Sequence, residues 1–262
     1  MIPKKIHYCW FGGNPLDETS QRCIASWKSY FPDYEIIQWD ESNFDISQMK
    51  FMEQAYHAKK WAFVSDVARL LIIYQHGGIY FDTDVEVIRS FDPILRRSAD
   101  GFLAYEKLNC VSTGLGFAMP AKHPLLEELL RIYATLDFEE YRDRLDEIAC
   151  PILTTELLRK YRYVPEDRMQ RICGVDIYPS EYFSPLDYIS GILRKTHNTC
   201  SIHWYNASWN DVRQKQYRLL EQRCIRIFGA RFGKTAAGMI SCIQQEGIVP
   251  YLRRHLMPHI DN

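Results

Sequence analysis

The stretch from residue 65 to residue 84 constrains this chain more than any other. It reads Ser-Asp-Val-Ala-Arg-Leu-Leu-Ile-Ile-Tyr-Gln-His-Gly-Gly-Ile-Tyr-Phe-Asp-Thr-Asp. Val67, Leu70, Leu71 and Tyr74 recur at i, i+3, i+4 and i+7, the spacing that lines one face of an α-helix. The helical pattern runs from Ala58 to His76. Gly77-Gly78 then stops it, because a helix end in the left-handed conformation favours glycine. Beyond the glycines the period changes. Ile79 to Ile88 reads as a strand interrupted by Asp82-Thr83-Asp84. In an extended chain alternate side chains share a face, so Asp82 and Asp84 are expected to point the same way, with Cα atoms about 6.6 Å apart.

The flanking segments place this unit in an α/β domain. Ile6 to Phe11 reads as a buried strand that stops at Gly12-Gly13. Asp17 to Tyr30 reads as a helix with Ile24 and Trp27 on one face, and Tyr34 to Trp39 as a second strand closed by Asp40. Strand, helix, strand is how a nucleotide-binding α/β half begins. Further on, Leu115 to Met119 and Val175 to Tyr178 read as strands, and Ser201 to Trp204 as a short strand or a loop. His123 to Leu136 and Thr154 to Tyr161 read as helices, and from Val212 onward the chain is basic and helical. The expected organisation is one α/β domain over 1–210 and a helical tail over 211–262, which suits a length of 262 residues.

Composition excludes several classes. With 47% hydrophobic residues the chain can build a core. Its 32 basic and 33 acidic residues leave a net charge of −1, which gives no general case for nucleic acid. Eight cysteines without a CxxC pair argue against a zinc knuckle. No long apolar run follows Lys4-Lys5, and none approaches the roughly eighteen residues of a membrane span. The expectation is a cytoplasmic protein with reduced thiols.

Two carboxylates at the end of a strand make a hard-oxygen site suited to Mg²⁺ or Mn²⁺. Such an ion neutralises the charge that develops on a departing diphosphate. Taken alone, Asp-x-Asp also fits a polar turn after a strand. Asp66 and Arg69, at i and i+3, share the helix face opposite the apolar stripe. They fit either a solvated ion pair or a pair that grips sugar hydroxyls, Arg69 donating and Asp66 accepting.

Taken together, Ser65-Asp66-x-x-Arg69 and Gly77-Gly78-x-Tyr80-x-Asp82-x-Asp84 resemble the sugar-binding DXD glycosyltransferases of family 32, related to the clostridial toxin glucosyltransferases. Ile2 to Gly12 looks like the family's opening strand, and Trp39-Asp40 resembles the end of its second. Pro151-Ile-Leu-Thr154 resembles its Gly-Pro-x-x-x-Thr segment, with Cys150 where glycine is usual. Ile202-His203 with Ser208-Trp209 resembles its closing motif.

The resemblance implies a GT-A fold, a nucleotide-sugar donor, retention of anomeric configuration and a Mn²⁺ or Mg²⁺ cofactor. It implies Asp66 and Arg69 on the donor sugar, Asp82 on ribose, sugar or metal, Asp84 as direct metal ligand and His203 as a second. Cys9, Trp10 and Phe11 would meet the base and ribose. Tyr80 and Thr83 would belong to the donor site, and Ser208 and Trp209 would close over the diphosphate. Asn109, Ser112, Thr113 and Gly114 lie where relatives place residues near the reacting sugar. A UDP-hexose such as UDP-galactose or UDP-glucose is the expected donor, with GDP-mannose as an alternative. A glycan or lipid-linked glycan of capsule, O-antigen or exopolysaccharide synthesis is the expected acceptor.

Competing readings attach to several of these residues. Trp10 and Phe11 fit core packing equally well, and His203 fits a core histidine bonded to backbone. The run Ile79 to Val85 also looks like a haloacid dehalogenase signature, with Asp82 as nucleophile. That signature carries Thr or Val where this chain has Glu86, and it normally lies near the N-terminus. A non-catalytic sugar-nucleotide-binding subunit is a third possibility. The tail has seven basic residues and one acid, Glu221, between Arg213 and Lys234. Leu219, Leu220, Cys224, Ile227 and Phe228 are expected to form an apolar stripe there. The tail then either docks on an anionic membrane or packs on the domain.

Overall fold

The computed structural model describes residues 2–106, 109–206 and 212–246. Most elements arise where the pattern places them. The chain begins with strand β1 (Lys5–Cys9), helix α1 (Glu18–Tyr30) and strand β2 (Glu35–Trp39). Asp17 caps α1 by accepting a hydrogen bond from the Ser20 N–H. Helix α2 (Lys50–His57), which the sequence pattern did not show, comes next, and a turn in which Lys59 has φ 56° separates it from α3 (Trp61–His76), the helix expected from 58 to 76. The next elements are β3 (Gly78–Tyr80), β4 (Val85–Val87), α4 (Asp92–Arg97), β5 (Phe102–Glu106), β6 (Cys110–Ser112) and β7 (Phe117–Met119). Then come α5 (Pro124–Thr135), α6 (Cys150–Lys160), β8 (Gln170–Ile172), β9 (Val175–Tyr178), α7 (Ser180–Phe183) and β10 (Ser201–His203).

The main sheet runs β2-β1-β3-β7-β5-β9-β8, with β6 paired to β5. β1 lies parallel to both neighbours, and β7 is antiparallel to β3 and β5. Alternation along the strands feeds two cores. Tyr80, Phe117, Leu103 and Tyr105 enter the core shared with α2, α3, α5 and α6. Ile79, Ala118, Phe102 and Ala104 enter the other, which holds Trp27 of α1, Ile94 of α4 and Phe183 of α7.

The expected strand from 79 to 88 is broken. β3 belongs to the main sheet, whereas β4 leaves it to pair antiparallel with β10. Asp82-Thr83-Asp84 forms the turn between them, closed by the Val85 N–H donating to the Asp82 carbonyl at 3.0 Å. The two aspartates therefore do not converge because an extended strand places them on one face. They converge because the chain turns from one sheet to the other. Gly77 and Gly78, at φ 63° and 112°, admit no side chain at the start of this path: a Cβ would reach the Ala121 nitrogen at 2.7 Å and the Lys5 carbonyl at 2.8 Å respectively.

Two compact units emerge among the described residues: one of 2–186 with 194–206, the other of 187–193 with the chain from 212 onward. In the second unit, helix α8 (Val212–Glu246) is interrupted at Gly229, where φ is 76° and ψ 167°. Its Gln222 donates to the Tyr188 carbonyl at 3.0 Å, and Arg218 lies over the Tyr188 ring. No helix of the described residues is long and apolar enough to cross a membrane.

Candidate active site

The turn at 82–84 collects side chains from four parts of the chain. From α3 comes Arg69. Its helix packs on α2 and α5 on one side and reaches β1 and β3 on the other, so it has no solvated face at this level. Arg69 is only 5% exposed, which rules out the solvated ion pair. Its Nη2 donates to Asp66 Oδ1 at 3.0 Å and to Asp82 Oδ1 at 3.1 Å. Nε donates to the Ser65 carbonyl, Nη1 reaches Thr113 Oγ1 at 3.5 Å, and the guanidinium lies 5.0 Å from the Tyr80 ring centroid. Among the described residues, one Nη1 hydrogen of the five donors has no partner. Burial raises the Asp66 carboxyl to about 6 against the pull of Arg69. Burial also raises Asp82, with Arg69 opposing it and Asp84 adding to it.

From β10 comes His203. The β4–β10 register sets His203 opposite Val85, and the Trp204 N–H extends the ladder to the Asp84 carbonyl at 3.0 Å. His203 Nε2 thereby lies 3.0 Å from Asp84 Oδ1. Asp84 Oδ2 accepts the Asn206 backbone N–H at 2.7 Å, and the Asn206 side chain donates to Asp17 Oδ2 at 2.6 Å. Burial works to raise the Asp84 carboxyl, but His203 and the Asn206 N–H outweigh it and hold it below the usual range. Burial likewise opposes a proton on His203, and Asp84 reverses the balance, raising the imidazole. Nδ1 of His203 is buried and has no hydrogen-bond partner among the described residues, so the reading of a core histidine satisfied by backbone does not hold.

The ligand atoms of Asp82, Asp84 and His203 lie within 4.8 Å of one another. Two carboxylates and an imidazole on partly exposed side chains (24%, 13% and 12%) are a donor set that could hold a divalent cation. The paired position is supplied by a histidine, not by the further acidic residues that a dehalogenase-type phosphatase would bring to its Mg²⁺.

Other expected site residues divide by location. Cys9 and Phe11 are buried, Phe11 packing on Phe44, while Trp10 is partly exposed and donates to the Asn14 carbonyl at 2.6 Å. Any contact that Cys9 or Phe11 makes with a ligand is therefore through backbone. Tyr80 is 1% exposed and serves as the floor under Arg69, and Thr83 is partly exposed in the turn. Thr113 and Gly114 adjoin the cluster: a Cβ on Gly114 would lie 2.4 Å from Asp82 Oδ2. Asn109, in contrast, bonds the Tyr105 hydroxyl. Cys150 Sγ lies 3.1 Å from Thr113 Oγ1, and its N–H points at Asp66 Oδ2 from 3.4 Å. Ser208 and Trp209 lie outside the described residues. Asp17 and Asn206 are site residues that sequence reasoning missed. Asp17 is legible only as a helix cap, and Asn206 acts through a backbone N–H that no side-chain pattern reports.

Residues 17–99 match the family model described as "Glycosyltransferase sugar-binding region containing DXD motif". This part of the chain is similar to that family. The chain is 32% identical over 138 residues to inositol phosphoceramide mannosyltransferase 3 of Schizosaccharomyces pombe, covering 50% of this chain and 36% of that protein. A 134-residue stretch is 31% identical to human alpha-1,4-N-acetylglucosaminyltransferase, again covering 50% and 36%. The similarity thus spans about a third of the length of these two relatives. Among solved structures, the PaToxG glycosyltransferase aligns with a TM-score of 0.50 at 20% identity, over 61% of this chain and 69% of that one. The domain around the sugar-binding region has the GT-A fold.

Proposed function

We propose that the chain is a metal-dependent, retaining glycosyltransferase that moves a hexose from a nucleotide-sugar donor to a glycan acceptor. The observation that carries this reading is the convergence of Asp82, Asp84 and His203 within 4.8 Å, next to the buried Asp66–Arg69 pair. Asp84 and His203 would hold a divalent ion with Asp82 alongside. Such an ion, Mn²⁺ in preference to Mg²⁺, would neutralise the charge on the leaving diphosphate. Arg69 fixes Asp82 on one side and Asp66 on the other. Asp66 then presents a carboxylate oxygen to sugar hydroxyls, and the remaining Nη1 hydrogen of Arg69 donates to one.

A UDP-hexose, UDP-galactose or UDP-glucose, is the proposed donor. The proposed acceptor is a glycan or lipid-linked glycan of capsule, O-antigen or exopolysaccharide synthesis. A lipid-linked acceptor has a parallel in the inositol phosphoceramide named for one relative. A cytoplasmic setting, with the eight cysteines reduced, is part of the proposal.

The test is hydrolysis across a panel of nucleotide sugars with and without Mn²⁺. Release of free hexose from one donor, lost on chelation, is the expected result. Release of inorganic phosphate from simple monoesters would overturn it in favour of a phosphatase. Donor binding without turnover in the presence of acceptor glycans would leave a regulatory subunit instead.

A further inference from the structure

The helical unit carries a feature that the proposed glycosyl transfer does not use. A single amphipathic stripe of Leu219, Leu220, Cys224, Ile227 and Phe228 does not form. Cys224 is 4% exposed and Leu220 is partly buried, because the chain reverses at Gly229. After the break Gly233 returns against the backbone of residue 225, where a Cβ would come within 2.5 Å of the Ile225 nitrogen and Cα. Ala237 is fully buried beyond it. The result is a helical hairpin held together by small residues.

Its bend is the exposed part. Residues 226–232 are all exposed, and they include Ile227 at 72%, Phe228 at 53% and Phe232 at 66%. Arg223, Arg226, Arg231 and Lys234 surround them and are exposed as well. Leaving three large apolar side chains in water at one bend is costly, so a partner surface is indicated.

Charge selects the partner. From Arg213 to Lys234 there are seven basic residues against Glu221 alone. A second copy of the same bend would set arginine against arginine across a two-fold axis, which disfavours self-association. The segment 247–262 carries Arg253 and Arg254 against Asp261, so it offers no complementary charge either. An anionic bilayer satisfies both demands at once: headgroups take the arginines, and the interface takes the apolar side chains. We propose that the hairpin bend docks on an anionic lipid surface, with Ile227, Phe228 and Phe232 entering the headgroup–acyl boundary.

The test uses the full chain and vesicles of phosphatidylcholine with or without phosphatidylglycerol. Co-sedimentation is expected only with the anionic vesicles, and it should weaken as salt rises. Replacing Ile227, Phe228 and Phe232 together by Ser should weaken partitioning by at least about tenfold. Neutralising Arg226→Gln and Arg231→Gln should weaken it roughly 25-fold, about fivefold for each charge. Phe228→Trp retains an aromatic residue at an exposed position and serves as reporter. Its emission, taken as the difference from the parent chain with its six native tryptophans, should shift to the blue on anionic vesicles and not on phosphatidylcholine alone. Equal binding to both vesicle types would overturn the proposal, as would unchanged binding of the triple serine variant. The absence of a blue shift would do the same even if the serine variant fails to fold. Sedimentation showing a dimer that the serine substitutions dissociate would assign the bend to a second copy.

Discussion

The two aspartates of the motif stand only two residues apart, yet the protein neutralises them in different ways. Asp82 has a resident cation: the Arg69 guanidinium, buried, permanently charged and shared with Asp66. Asp84 has an exchangeable one. His203 at 3.0 Å supplies a proton, and a backbone N–H from Asn206 supplies the rest. The Arg69 side is a fixed part of the fold. On the Asp84 side the partner is a proton, and under the proposed function an ion takes its place. Buried carboxylates without compensation are costly, so each arrangement also says what happens when its partner is removed.

The largest effect is expected where the exchangeable cation acts. Asp84→Asn should leave circular dichroism and melting nearly unchanged while lowering donor hydrolysis by ~10³-fold, the equivalent of about 4 kcal/mol of charge stabilisation. Activity within tenfold of the parent protein would show that Asp84 and its histidine are a structural pair, and the contrast would collapse.

Arg69→Ala tests the other side. Removing one partner of a buried ion network leaves Asp66 and Asp82 facing each other uncompensated. Thermal or urea unfolding should show a loss of about 3–5 kcal/mol. The loss of activity then does not by itself separate sugar binding from folding, so the variant to assay for donor discrimination is Arg69→Lys, which keeps the charge. A stability change in Arg69→Ala below about 1 kcal/mol would mean that Arg69 is a ligand contact and not a fixed counter-charge.

A second buried histidine sharpens the comparison. Unlike the partly exposed cluster, His7 is fully buried, and it has no carboxylate beside it among the described residues. Its Nδ1 accepts from the Trp39 indole at 3.1 Å and its Nε2 donates to the Gly77 carbonyl at 3.0 Å, an arrangement that requires the neutral ring. Burial lowers it to about 4, whereas Asp84 raises His203. The unfolded chain takes up a proton at His7 near pH 6.5 and the folded one only near 4. Its contribution to stability is therefore complete above pH 6.5 and is lost as the pH falls toward 4, by roughly 3 kcal/mol in all. Unfolding at a series of pH values should show this loss, and His7→Gln should flatten that part of the curve. An equally steep curve in the variant would assign the acid sensitivity elsewhere.

The smallest effect belongs to His203 itself. His203→Ala should weaken Mn²⁺ affinity roughly tenfold to a hundredfold, and added Mn²⁺ should restore part of the activity. Reduced activity with unchanged Mn²⁺ dependence would remove His203 from the ion site and leave it as the neighbour that positions Asp84.

Much of this was legible before any coordinates. The apolar period of α3, the glycine pair that stops it and the acids that follow are local signals. So are the alternating strands and the polar cap of α1, because each rests on backbone sterics and burial within a few residues. Asp66, Arg69, Asp82, Asp84 and His203 could all be named from the residues and their resemblance. What those five do to one another could not. Spacing along α3 left Arg69 equally suited to a solvated face, and only packing of the helix on both sides buried it. An extended strand from 79 to 88 appeared sufficient to aim the two aspartates, yet β4 prefers β10, a pairing across more than a hundred residues. That pairing turns the chain at 82–84, brings His203 to Asp84 and lets the Asn206 N–H reach the same carboxylate. In the tail, composition alone indicated a basic helix with apolar positions. The reversal at Gly229 decided which of them stay exposed. Sequence determines what each segment can be because its rules act over one or two turns of chain. Which carboxylate meets which cation is decided by contacts between segments far apart, and those exist only once the sheet is assembled.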